Sequence, residues 1–139
     1  MRSWAILTLT GLAGLLGTSE AGAQASATSA QVKAVYELYT SQGCSSCPAA
    51  DELLTRLAKR DDVIALTLPV DYWDYLGWRD TLARPEFSTR QKAYAKALGD
   101  GMVYTPQAVV SGLAQINGSS EDKVDQAIER TAKLFADSR

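Results

Sequence analysis

Between residues 32 and 135 the spacing of apolar positions changes period several times, and each change separates one element from the next. Val32 to Thr40 carries the β-forming side chains Val35, Tyr36, Leu38 and Tyr39, with Glu37 set among them, which predicts a strand. Ser41-Gln42-Gly43 breaks that pattern. From about Cys44 the period becomes helical: Ala50, Leu53, Leu54, Leu57 and Ala58 share one face, and Pro48 falls in the first turn, where a missing N–H is tolerated. Asp61-Asp62 ends the helix. Val63 to Val70 is a nearly continuous apolar run, as expected of a strand in a buried sheet. Asp71 to Asp80 is an aromatic-rich connection with Tyr72, Trp73, Tyr75 and Trp78.

The second half continues the alternation. Ser88-Thr89-Arg90-Gln91 has the form of a capping box and predicts a helix to about Leu98, closed by Gly99 and Gly101. Val103 to Gln107 leads into a strand over Ala108 to Ser111. Gly112 turns the chain, and Leu113 to Ile116 returns as a hairpin partner. Ser119 or Ser120 caps a last helix with Glu121 and Asp122 in its first turn and Val124, Ala127, Ile128, Thr131, Ala132 and Phe135 as its inner stripe. The order is β-α-β-α-β-β-α. Helices between the early strands require parallel pairing there, and the short late turn requires an antiparallel pair. The expected fold is α/β, a mixed four-stranded sheet flanked by helices on both faces.

The first 23 residues follow another pattern. A short basic start, Met1-Arg2, precedes an uncharged apolar and small-residue run from Trp4 to Leu16, and Ala21-Gly22-Ala23 offers a small-x-small cleavage site. This is the layout of a signal peptide, and the run is shorter than the roughly 20 residues that span a bilayer. The expected organisation is a signal peptide over 1–23, a flexible lead-in over 24–33 and one domain over 34–139. The exported chain is therefore expected in the periplasm or outside the cell, with no membrane span after cleavage. Cleavage removes one basic residue, Arg2, and one acidic residue, Glu20, so the net charge stays at −2. With no basic stripe and a pI near 5.1, a nucleic-acid partner is not expected. The chain has no histidine, hence neither the commonest metal ligand nor the commonest general base.

The chemistry concentrates in Gly43-Cys44-Ser45-Ser46-Cys47-Pro48, which holds the only two cysteines. A thiol at the start of a helix meets unpaired N–H groups and the positive end of the helix dipole, both of which favour the thiolate. A bridge between Cys44 and Cys47 closes so small a loop that it removes little unfolded-chain entropy, so redox work suits the spacing better than stapling.

A C-x-x-C after the first strand of a βαβ unit, with Thr105-Pro106 just before a hairpin, resembles the thioredoxin-like superfamily over about Val35 to Phe135. The segments Glu37 to Pro48, Val70 to Trp78 and Val103 to Gln107 further resemble a family of secreted bacterial proteins classed as a domain of unknown function, itself thioredoxin-like; its members often carry histidine where this chain has Pro69. The resemblance implies a cis proline at Pro106 facing the disulfide, with Thr105 and Pro106 presenting backbone to a bound peptide. It implies Cys44 as attacking thiolate, the more exposed of the pair, and Cys47 as resolving thiol. Thioredoxins place a buried acid on the strand entering the motif, one residue nearer than Glu37 stands here, which makes Glu37 the candidate proton relay; the alternative is a solvent-facing edge position. Tyr72 and Trp73 are read chiefly as packing, with a substrate-gathering wall as the other reading. Asp71, Asp74 and Asp80 offer carboxylates for a cation, but acids so irregularly spaced read as solvated loop residues.

The expected function is an exported thiol–disulfide oxidoreductase acting on protein or small-molecule thiols, with no cofactor beyond the Cys44–Cys47 pair. The alternatives are a non-enzymatic binding module with an inert bridge and, less favoured, a Cu(I) carrier using two thiolates.

Overall fold

A computed structural model describes residues 31–99 and 101–137, in which four strands and three helices follow one another in the expected order. The expected signal peptide over 1–23 and most of the expected lead-in over 24–33 lie outside the described residues. Strand β1 (Ala34–Thr40) is followed by α1 (Pro48–Leu57), β2 (Val63–Pro69), a single 3-10 turn (Asp74–Leu76), α2 (Pro85–Leu98), β3 (Gln107–Val110), β4 (Ala114–Asn117) and α3 (Glu121–Asp137). The sheet order is β2-β1-β3-β4. β1 runs parallel to β2 and antiparallel to β3, and β3 and β4 form the hairpin.

The pleat of β1 assigns its side chains to two unlike layers, because successive residues point to opposite faces. Tyr36 and Leu38, both fully buried, join Ala50, Leu53 and Leu57 of α1 and Val124, Ala127 and Ile128 of α3 in the main apolar core. Gly118 closes this layer: a Cβ there would stand 2.6 Å from Leu38 Cδ1, so only glycine fits the existing packing. Glu37 and Tyr39 face the other way. Tyr39, Val70 and Val109 form a small second cluster, with Leu68, Tyr72, Trp73 and Tyr94 packed against it.

Helix α2 docks on this second face largely through polar groups. Gln91 Nε2 donates to Gln107 Oε1 (2.7 Å) and Tyr104 O (2.8 Å), and Gln91 Oε1 accepts from the Tyr72 hydroxyl (3.1 Å). Ser88 Oγ donates to Asp71 Oδ1 at 2.5 Å. Among the described residues no buried side-chain nitrogen or oxygen lacks a partner, so the desolvation of this layer is compensated group by group.

Several boundaries depart from the sequence pattern, each for a local reason. The first strand starts at Ala34, not Val32. The first helix starts at Pro48, not near Cys44, because Pro48 takes the first helical position and Cys47 becomes the N-cap. Pro85 likewise starts α2 three residues ahead of the expected capping box: Arg84 is held extended before it, and Ser88 and Gln91 are spent on the loop and sheet instead. The hairpin strands sit at Gln107–Val110 and Ala114–Asn117, with Ser111 in the turn at φ 53°. Phe135, expected in the inner stripe of α3, is exposed, since the buried stripe ends at Thr131. β2 is an edge strand whose Ile64 and Leu66 are exposed, because α2 covers β1 and β3 rather than β2.

Candidate functional site

The C-terminal end of β1 builds the site. After Thr40 the chain turns through Ser41-Gln42-Gly43: Ser41 Oγ accepts from the Gly43 N–H (3.1 Å), and Ser41 O accepts from the Cys44 N–H (3.1 Å). Gly43 eases the approach of the next loop, because a Cβ there would stand 3.1 Å from Trp73 Cβ, tighter than ordinary contact. A second turn, closed by Cys47 N–H to Cys44 O at 3.2 Å, leads to Pro48 and α1. Cys44 and Cys47 are joined in a disulfide with Cα atoms 5.5 Å apart. Cys44 is 6% exposed and Cys47 1%. Cys47, not Cys44, holds the helix N-cap, and Cys44 lies one turn before it.

Thr105 and Pro106 sit against this turn. Ser46 Oγ, between the cysteines, makes long contacts of 3.5 Å to both Cys44 Sγ and Thr105 O. The Thr105–Pro106 peptide is cis. Thr105 Oγ1 accepts from Trp73 Nε1 at 2.8 Å, so the aromatic loop is tied to the same corner. Tyr72 and Trp73 are half-buried and lie tilted against each other, ring centroids 6.1 Å apart. The apolar side chains farther along point outward: Tyr75, Leu76, Trp78 and Leu82 are all exposed, Trp78 at 60%. Trp78 Nε1 donates to Gln42 Oε1 (2.8 Å), which fastens this apolar rim to the turn before Cys44. Asp80 is buried, not solvated: it accepts from the N–H of Gln42 (2.9 Å) and of Leu82 (2.9 Å).

The structure thus brings Cys44, Cys47, Thr105, Pro106 and Trp73 to one corner, with Tyr72 behind. It sets Glu37 apart, on the face of β1 that looks at α2 and not on the face of Leu38 that packs against α1. Glu37 is buried on a central strand, so the edge alternative does not hold. Its Oε2 accepts from Arg90 Nε (2.6 Å) and Tyr39 Oη (3.2 Å), and its Oε1 from Arg90 Nη2 (2.8 Å) and Tyr94 Oη (3.0 Å). Burial pushes this carboxyl up, but the Arg90 and tyrosine donors outweigh burial and hold it below the ordinary glutamate range.

A different acid shares the turn of Cys47. Asp51 lies four residues along α1, its N–H bonded to Cys47 O at 3.1 Å. Helical side chains lean toward the N-terminus, so the side chain at i+4 reaches back over residue i. Asp51 Oδ1 accepts from Thr40 Oγ1 (2.8 Å) beside a cleft of about 290 Å³ that Asp80 also lines. Burial pushes the Asp51 carboxyl up, Asp80 adds to this, and the Thr40 hydroxyl opposes it. The i+4 spacing from Cys47 was present in the sequence as the signal; only the fold shows that Thr40 lies across from it.

Residues 35–138 match a family described as a protein of unknown function, DUF1223. The chain belongs to this family. A structural-genomics crystal structure of a protein from Agrobacterium tumefaciens is similar at 44% identity with a TM-score of 0.69; the match covers 78% of this chain and 47% of that one. This chain thus spans about half the length of that relative. No curated protein matches it.

Because the folded Glu37 carboxyl is held below its ordinary value, its pairing stabilises the protein above the unfolded pKa, about 4.3, and that contribution is lost as the pH falls through and below this value. Glu37→Gln is expected to lower stability at pH 7 and to flatten the loss of stability below about pH 4. Urea melts of both proteins at a series of pH values check this; parallel profiles would contradict the assignment.

Proposed function

We propose that this member of DUF1223 is an exported thiol–disulfide oxidoreductase of the thioredoxin-like kind, acting on extended polypeptides that carry cysteine. The observation that carries the reading is the convergence at one corner of the Cys44–Cys47 bridge, the Thr105–Pro106 turn and the aromatic loop. Tyr75, Leu76 and Trp78 offer exposed apolar area next to the turn that carries Cys44, which suits a polypeptide substrate.

In the oxidised form a substrate thiolate attacks Cys44 Sγ and breaks the Cys44–Cys47 bond. Cys47 leaves as thiolate and takes a proton. A second substrate thiolate then attacks the substrate sulfur of the mixed disulfide and releases the Cys44 thiolate. The substrate dithiol loses two electrons and two protons overall; the cysteine pair gains both electrons and the proton at Cys47, and the second proton goes to solvent while Cys44 stays thiolate. Run backward, the same steps reduce a substrate disulfide. Asp51, on the helical turn of Cys47 and raised by burial, is the acid suited to exchange a proton there, while Glu37 serves to dock α2 through Arg90.

The burial of both cysteines favours a second reading, a binding module whose bridge stays closed. Trapping separates the two. Cys47→Ala, treated with a disulfide-bearing peptide, is expected to accumulate a mixed disulfide at Cys44; failure to trap one under conditions that label the reduced pair would leave the binding module. Asp51→Asn keeps an oxygen for Thr40 and removes a carboxyl that burial disfavours as an anion. Its expected effect is unchanged or slightly raised stability at pH 7, with exchange slowed about tenfold or more and a flattened pH–rate profile. A profile identical to that of the unaltered chain would remove Asp51 from the proton path.

A further inference from the structure

The sheet ends at β2, and β2 is an unguarded edge. Its seven residues, Val63 to Pro69, carry no charge, whereas edge strands are ordinarily protected by lysine, a bulge or a covering element. The Val70 N–H bonds Thr40 O inside the sheet, and Pro69 O turns outward to accept from the Arg84 N–H. Backbone groups alternate sides along a strand, so Val63, Ala65 and Thr67 also direct their N–H and C=O groups outward. Among the described residues these outward groups make no hydrogen bond. On the face toward α2, Ile64 (46% exposed) and Leu66 (42% exposed) stand uncovered. An uncharged, apolar, unpaired edge of this kind invites pairing with another strand.

We propose that β2 pairs with β2 of a second copy, antiparallel, about a two-fold axis through Ala65. This register makes the edge complementary to itself. Ala65 faces the partner's Ala65, Val63 faces the partner's Thr67, and all of these residues point their backbone groups at each other. The same register sets Ile64 beside the partner's Leu66 twice, once on each side of the axis, so the exposed aliphatic side chains shield one another. Arg84 closes the edge at Pro69, which limits the pairing to Val63–Thr67 and brings the exposed Asp61 of each copy toward the exposed Arg84 of the other. The charges at the two ends of the strand are thus opposite, as an antiparallel two-fold arrangement needs. The result is one continuous eight-stranded sheet. Its two disulfide corners lie at opposite ends and remain open, since each stands beyond the C-terminal end of its own β1.

Sedimentation equilibrium of the purified chain over a wide concentration range tests the pairing. The expected result is a reversible equilibrium between the mass of one chain and of two. Ile64→Lys and Leu66→Lys place a charge on an already exposed position, so the fold should survive by circular dichroism. Each is expected to weaken association more than about tenfold, because the axis repeats the substitution. Amide exchange on the unaltered chain supplies a test that needs no variant: Ala65 and Thr67 should become protected on concentration, while Ile64 and Leu66, bonded within the sheet, should be protected throughout. A one-chain mass at every concentration, a dimer that withstands both lysines, or Ala65 and Thr67 amides indifferent to concentration would each overturn the proposal. The first of these outcomes would leave the edge to a strand from another polypeptide or to a further segment such as the longer relative contains.

Discussion

β1 is buried on both faces, and its seven residues therefore have to satisfy two different layers at once. Tyr36 and Leu38 are locked by the apolar core beneath α1 and α3, while Glu37 and Tyr39 are locked by α2. A one-residue slip of this strand would exchange a carboxylate for leucine in the apolar layer, so its register is strongly specified. The consequence for the site is positional. Thr40 and Ser41 come at the end of a strand that cannot shift, and they fix the turn from which Cys44 is presented and the hydroxyl that holds Asp51.

The two layers are stabilised by different means. The α1–α3 side is ordinary apolar burial. The α2 side is a network in which a half-exposed arginine reaches a buried carboxylate, with glutamine, serine and tyrosine completing the set. Such a network adds modestly to net stability, since desolvating the ions offsets much of their attraction. Its geometry is exacting, however, and α2 has few other ways to sit on this face. Gln91 ties Tyr72 and Tyr104 to the same helix, so the seating of α2 also sets the aromatic loop and the approach to Thr105. The corner that holds the disulfide is thus supported from below by β1 and from the side by α2.

Most of this architecture was legible in the chain. The period changes located all four strands and three helices, and Thr105-Pro106 ahead of a hairpin pointed to the corner where the disulfide lies. What was not legible has a common physical cause: local pattern does not report which neighbour an element finds. Val63 to Pro69 is apolar enough for a central strand, yet its exposure depends on where α2 lands. Ser88 and Gln91 have capping chemistry, yet a proline three residues earlier starts the helix and frees them for other partners. Phe135 keeps helical phase with Thr131 and Ile128 but lies past the last buried position of α3. Glu37 is a buried acid on the first strand as expected, but only the fold shows that its carboxylate is paired with Arg90 on the face toward α2.

The proposed chemistry rests on whether the Cys44–Cys47 bridge opens at the potentials at which thiol–disulfide enzymes work. The most direct measurement is the reduction potential of the pair, by equilibration of the purified chain against mixtures of reduced and oxidised glutathione, with the cysteines quantified by alkylation. The account predicts a value in the range of working thiol–disulfide enzymes, about −270 to −120 mV. A value well below about −300 mV would mean a bridge that stays closed in its compartment, and would contradict the oxidoreductase reading.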